Sequence, residues 1–203
     1  MMRLALHELA VTGTATLPAG VHGLYLRRGA LRVAGAPLAE DDAVLAPGGA
    51  LLEGTGEAWC FTVCRAAAPL DRASLILAHS LPRDPAQPFV LRLDRVDFAE
   101  HGVTPKHGHA GPGIRRLLSG LLLAELGEEQ RRITPGQAWH ETGVEPVVGR
   151  VLAPGTAFIR AMVLDAALLG LPSFRAWSPE EAAKPRGVGY RLFLDRICQL
   201  ETA

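Results

Sequence analysis

A chain of 203 residues, 48% of them hydrophobic, can bury a sizeable core, which excludes the disordered and fibrous classes. Its 21 Lys and Arg balance 21 Asp and Glu, so no overall field draws it to nucleic acid or to an anionic membrane. With 5% aromatic residues it also lacks the stacking platform that single-stranded nucleic acid needs.

Lys106 and Lys184 are the only lysines, and the absence of asparagine excludes N-glycosylation. Cys60, Cys64 and Cys198 are odd in number and form no Cys-x-x-Cys, which fits buried thiols in a reducing compartment better than a disulfide framework. The start, Met1-Met2-Arg3-Leu4-Ala5-Leu6-His7-Glu8, meets a carboxylate too early for a signal peptide. The apolar stretches near Leu121 and Met162 are broken by Glu125, Arg160 and Asp165 well short of the roughly 20 residues a spanning helix requires. The expectation is a cytoplasmic protein with no membrane partner.

Twenty-two glycines and 15 prolines punctuate short apolar runs, and sustained helical periodicity is rare, an all-β pattern. In chain order, strands are predicted at residues 24–33, 43–45, 58–63, 89–93, 113–118, 120–124, 137–141 and 157–163. Residues 66–88 hold Pro69, Pro82, Pro85 and Pro88 and read as a connection, with an apolar patch at 74–78 that suits a short helix or strand. Ser178-Pro179-Glu180-Glu181 combines a capping hydroxyl, proline at the first helical position and glutamate three residues after the cap, so a short surface helix follows, then a last strand at 190–194.

An internal repeat organises these elements. Arg28-Gly29-Ala30-Leu31 followed by Ala46-Pro47-Gly48-Gly49 and Glu53 recurs as Ser119-Gly120-Leu121-Leu122 followed by Thr134-Pro135-Gly136-Gln137 and Glu141. A meander of this kind does not close alone, and two copies suggest a duplicated barrel.

The candidate chemistry lies in the second copy. Alternate residues of a strand face the same side, so His107 and His109 present two imidazoles that a single first-row metal ion can bridge, although two strand histidines also occur without a metal. The stretch from Pro105 through His107-Gly108-His109 to Gly113-Ile114-Arg115-Arg116-Leu117-Leu118-Ser119-Gly120 resembles the first motif of the cupins, a His-x-His pair followed by a glutamate and, seven residues later, a glycine. The resemblance implies an all-β fold, a duplicated double-stranded β-helix or bicupin of two jelly-roll barrels. Residues 1–68 would form a degenerate first lobe, 69–88 the connection, and 89–203 the lobe with the candidate site. It further implies a divalent metal ion held by the histidine pair, the glutamate and one more histidine from a second motif.

Two of those four ligands are missing. The glutamate position falls on Gly113, and the second-motif histidine falls near Val147. His140 and Glu141 are the substitutes, and a regular strand turns only one of them inward. Glu141 inward brings Trp139 to the same face; His140 inward gives a three-histidine site resembling that of cupin dioxygenases. Arg115, two residues after Gly113, shares the inward row and there needs Glu141 or an anionic ligand as partner, unless it reaches out to the rim. Arg116, on the other face, reads as an interface or solvent residue. In the first copy Thr16 and Pro18 stand where the histidine pair is and His22 where Gly113 is, so that lobe reads as structural, with His22 a satisfied core residue. His7, His79 and His101 have no partners at ligand spacing and are expected to face solvent.

No Gly-x-Ser-x-Gly elbow, phosphate-binding Gly-x4-Gly-Lys-Ser/Thr loop or dinucleotide-binding glycine pattern is present. Two functions stay open. One is a metal-dependent oxygenase or isomerase of the Fe(II) type acting on a small anionic molecule, with Arg115 and Glu141 as catalytic residues and His107, His109 and either Glu141 or His140 around Fe, Zn, Ni or Mn. The other is a non-catalytic cupin that binds a small molecule or keeps only the scaffold, with no metal. Monomer and homodimer are both compatible with the sequence.

Overall fold

A computed structural model describes residues 1–201. It contains fourteen strands: β1 (Met2–Thr16), β2 (Val21–Val33), β3 (Ala36–Leu38), β4 (Asp42–Pro47), β5 (Leu51–Arg65), β6 (Leu75–Leu81), β7 (Phe89–Phe98), β8 (His107–His109), β9 (Gly113–Leu126), β10 (Glu129–Ile133), β11 (Ala138–Glu141), β12 (Val147–Asp165), β13 (Phe174–Ala176) and β14 (Val188–Cys198). A single helical turn, α1 (Pro179–Ala182), starts where Ser178 accepts a hydrogen bond from the Glu181 amide. No helix among the described residues is long and apolar enough to cross a membrane.

The strands form two antiparallel systems. One runs β3-β2-β5-β1-β6 with β4 also on β2; the other runs β10-β9-β12-β7-β14 with β11 on β9 and β8 joining β12 to β13. Among the described residues the compact units are 1–91 with 193–201, and 92–192. Each has its own apolar core, Leu24, Leu26, Leu31 and Leu52 being prominent in the first and Leu117, Leu122, Trp139 and Phe158 in the second.

The registers display the duplication. The first half of β2 lies between β4 and β5 and its second half between β3 and β5; β9 lies in the same way between β11 and β12, then between β10 and β12. His22 pairs with Ala46 and Thr62, as Gly113 pairs with Glu141 and Met162. Leu24 pairs with Val44 and Cys60, as Arg115 pairs with Trp139 and Arg160. The molecule is a duplicated jelly roll.

The glycines of the repeat mark where each long strand changes partners. Gly29 (φ +94°) and Gly120 (φ +76°) have a backbone that L side chains rarely adopt. A Cβ on Gly29 would stand 2.4 Å from the Thr55 carbonyl oxygen, and one on Gly120 2.3 Å from Thr156 Oγ1. This half of the repeat is equivalent in space. The Pro-Gly half is not: Pro47-Gly48-Gly49 turns from β4 into β5, whereas Pro135-Gly136 turns from β10 into β11. The true counterpart of Gly136 (φ +86°) is Asp41 (φ +57°) in the β3–β4 turn, and Glu53, which pairs with Thr14 and Arg32, is no counterpart of Glu141. A shared Pro-Gly dipeptide reports a tight turn wherever it falls, and here it falls at different turns.

Four strands lie where no strand was read: β1, β3, β10 and β13. The inner half of β1 is buried on both faces, which erases the alternation that identifies a half-exposed strand. The apolar patch at 74–78 belongs to β6, paired to β1.

Replacing Gly120 by alanine should cost more than about 3 kcal/mol, because the strained φ adds to a clash with backbone and hydroxyl atoms of Thr156. Gly127→Ala, where φ is +62° but nothing lies within 4 Å, should cost only about 1 kcal/mol. Urea denaturation of the two variants checks the difference.

Candidate functional site

The inward row of β9 and its neighbours builds the polar site of the second unit. His107 and His109 are buried on β8, which is held at Val147 of β12 and along β13. Their rings meet edge to face with centroids 4.9 Å apart, and Phe174 stacks on His107 at 4.7 Å. His107 Nδ1 donates to the Pro105 carbonyl at 2.8 Å, which leaves Nε2 as its lone-pair nitrogen. His109 Nδ1 is buried without a hydrogen bond.

Glu141 is buried and turned into the same cavity, its Oε1 accepting from Trp139 Nε1 at 2.8 Å. Its Oε2 lies 2.7 Å from Arg115 NH2 and 3.7 Å from His109 Nε2. The Arg115 contact is a close ion pair rather than an aligned hydrogen bond, so both atoms keep unused hydrogen-bonding capacity. His140, one residue away on a regular strand, lies half-buried on the opposite face and does not join the cluster.

Arg115 is 1% exposed, and its NH1 donates to the Gly113 carbonyl at 2.7 Å. A Cβ on Gly113 would stand 2.9 Å from that NH1 and 2.4 Å from the Ala161 oxygen, so Arg115 occupies the space a side chain at 113 would need. Directly across the ladder from Arg115 is Arg160. Like charges placed opposite each other in a sheet repel, and each is matched separately. Arg160 makes a bidentate pair with Asp94, Nε to Oδ1 at 3.0 Å and NH2 to Oδ2 at 2.7 Å, and its guanidinium stands over the Tyr190 ring. Burial lowers the Arg115 pKa to about 10 against the pull of Glu141. Burial also opposes the Arg160 charge, but Asp94 outweighs it and the pKa is raised. Both histidines are pushed down, chiefly by burial and, for His109, further by the two guanidiniums, so the rings are neutral. Two cations and two carboxylates then give the site a formal charge of zero.

His107, His109, Arg115, Trp139, Glu141 and Arg160 line a cavity of about 40 Å³, with Thr104, Phe158 and Tyr190. It holds water or a ligand of a few heavy atoms. Arg160, Asp94 and Tyr190 did not stand out in the sequence. Arg160 interrupts an apolar run, which was its one available signal, and Asp94 lies just past a predicted strand end.

The residues do not fit the divalent metal centre that the cupin resemblance implies. No group of three His, Cys, Asp or Glu among the described residues is arranged to hold an ion. Glu141, the third donor on the inner face, is committed to a guanidinium and an indole, and a guanidinium stands where Gly113 leaves room.

Elsewhere, Arg116 is buried rather than solvent-facing, its Nε donating to the Gly136 carbonyl, because the β10–β11 turn folds over it. His7 is likewise buried, 6% exposed, whereas His101 faces solvent. His22 is fully buried, with Nδ1 2.9 Å from Thr62 Oγ1 and Nε2 3.0 Å from the Pro18 carbonyl. All three cysteines are buried and free.

No protein-family model matches the chain, and no curated protein matches it by sequence. Solved structures do match in fold. A cupin 2 conserved barrel domain protein from Leptotrichia buccalis aligns with TM-score 0.51 at 13% identity over 80% of this chain and 83% of its own. The protein Ylba from Escherichia coli aligns with TM-score 0.52 at 16% identity over 80% and 76%. Salicylate 1,2-dioxygenase from Pseudaminobacter salicylatoxidans aligns with TM-score 0.52 at 10% identity over 94% and 75%. The likeness establishes a cupin-barrel fold.

Removing one member of the buried pair strands the other. Arg115→Leu should cost about 3–5 kcal/mol, and adding Glu141→Leu should restore part of it, less about 1 kcal/mol for the Trp139 indole left without its acceptor. A double-mutant cycle from urea denaturation measures the coupling.

Proposed function

We propose that the second unit is a metal-independent binding site for a small, polar, net-neutral molecule, and that it is non-catalytic. The observation that carries this reading is the Arg115–Glu141 pair. It commits the carboxylate a metal would need and supplies a fixed positive charge within the histidine cluster. His109 Nδ1 is buried without a hydrogen bond on a residue that lines the small cavity beside that pair. Such a group is costly until something satisfies it. With formal charge zero the site suits an amide or an undissociated acid better than a free anion.

A second reading, a divalent metal centre of the oxygenase or isomerase type, draws support from the edge-to-face histidine pair with His107 Nδ1 tied to Pro105. Here His107 and His109 would supply the metal donors and Arg115, released from Glu141, would orient a substrate carboxylate.

Untagged protein incubated with Fe(II), Mn(II), Ni(II) or Zn(II) and then desalted should retain far less than one equivalent by elemental analysis. Arg115→Leu, which frees Glu141, should retain more. Acetamide should shift the His107 and His109 ring signals in NMR spectra at concentrations where acetate does not. Stoichiometric metal in the wild type, lost in the His107→Ala, His109→Ala variant, would establish the second reading instead.

A further inference from the structure

A cavity with a built polar end lies in the first unit, in the lobe whose sequence carries no recognisable site. It measures about 440 Å³, within the range of small-molecule sites and some tenfold larger than the cavity in the second unit. Much of its wall is apolar, from Leu9, Val11, Leu17 and Leu52.

One end of the cavity carries a hydrogen-bonded relay. Asp71, whose pKa is lowered by hydrogen bonds from Ser74 and the Ala73 amide, is an ionised acceptor. The Ser74 hydroxyl donates to Asp71 Oδ2 at 2.8 Å. Having spent its proton there, Ser74 Oγ must accept at its 3.0 Å contact with His7 Nδ1. That fixes His7 as the Nδ1–H tautomer and leaves Nε2 a bare acceptor. His7 is more than nine-tenths buried, lines the cavity, and among the described residues has no hydrogen-bond partner at Nε2.

We infer that this cavity binds a small, largely apolar, uncharged molecule carrying one hydroxyl donor, a phenol or an alcohol, whose O–H is accepted by His7 Nε2. Charge sets the class. The ionised Asp71 lines the cavity, and no Arg or Lys is among its described lining residues, so an anion meets a carboxylate and no cation there. The thiols of Cys60, pushed up to about 12 by burial, and Cys64, also raised by burial, are neutral and add to the soft wall. An apolar body placed against the leucines and a donor on His7 would satisfy both kinds of surface, and Ser74 and Asp71 would hold the tautomer that accepts.

The test is an NMR titration of the full chain with three probes of similar shape: para-ethylphenol, ethylbenzene and para-ethylbenzoate. The phenol should bind about five-fold more tightly than ethylbenzene, the worth of one neutral hydrogen bond, and the benzoate should not bind. The His7 ring signals should move with the phenol, and Cys60 and Cys64 should react more slowly with a thiol reagent when it is bound. His7→Phe should retain ethylbenzene binding and erase the preference for the phenol. Because the relay also joins β1 to the 71–74 turn, Ser74→Ala serves if His7→Phe does not fold; it frees the tautomer and should reduce the preference. Equal binding of the benzoate, no binding of the phenol, or an unchanged preference in both variants would overturn the inference.

Discussion

Two arginines face each other across the β9–β12 ladder inside a barrel, and the polar interior of the second unit follows from matching them. An unmatched guanidinium in a dry interior costs several kcal/mol, so each must bring a carboxylate. Asp94 arrives on β7 for Arg160, and Glu141 arrives on β11 for Arg115. Once Glu141 is so placed, the indole of Trp139 two residues earlier falls on the same face and takes its other oxygen. The histidines sit beside this arrangement as neutral rings, held so by burial and by the nearby positive charge.

The first unit shows the same scaffold without the charges. Leu24 stands in the register position of Arg115, Cys60 in that of Arg160, and Ala46 in that of Glu141. Both arginines and Glu141 give way to uncharged residues together, as expected where removing one partner of a buried pair costs far more than removing both. His22, at the position of Gly113, fills space that the second unit gives to the Arg115 side chain, and satisfies its two nitrogens on Thr62 and Pro18.

The all-β class, the duplication and most strand positions were legible because glycine turns and apolar runs are local signals. So was the capped turn at Ser178. The inward row of Gly113, Arg115 and Leu117 followed from simple alternation. What the sequence could not display is partner choice between distant strands. Asp94 and Arg160 lie 66 positions apart and meet only once β7 and β12 are packed. The buried places of His7 and Arg116 depend on a turn folding over each one, at Ser74 and at Gly136, and neither turn is visible from the residue itself. The Pro-Gly repeat misled for the opposite reason, since a strong local signal says nothing about which strands it joins.

The two cavities differ in what lines them as well as in volume. A guanidinium is long and rigid at its head, and two of them with their carboxylates fill the second barrel, leaving about 40 Å³. Leu24, Cys60 and Ala46 at the matching positions need no charged partners and pack into the apolar core, and Cys60 alone of the three lines the first unit's cavity of about 440 Å³. The unit that carries the histidine pair has room for little beside its own ion pairs. The unit without a metal motif has the space for an organic ligand. In a duplicated fold, motif and capacity need not stay in the same copy, because the side chains that define a motif are also the ones that occupy the interior.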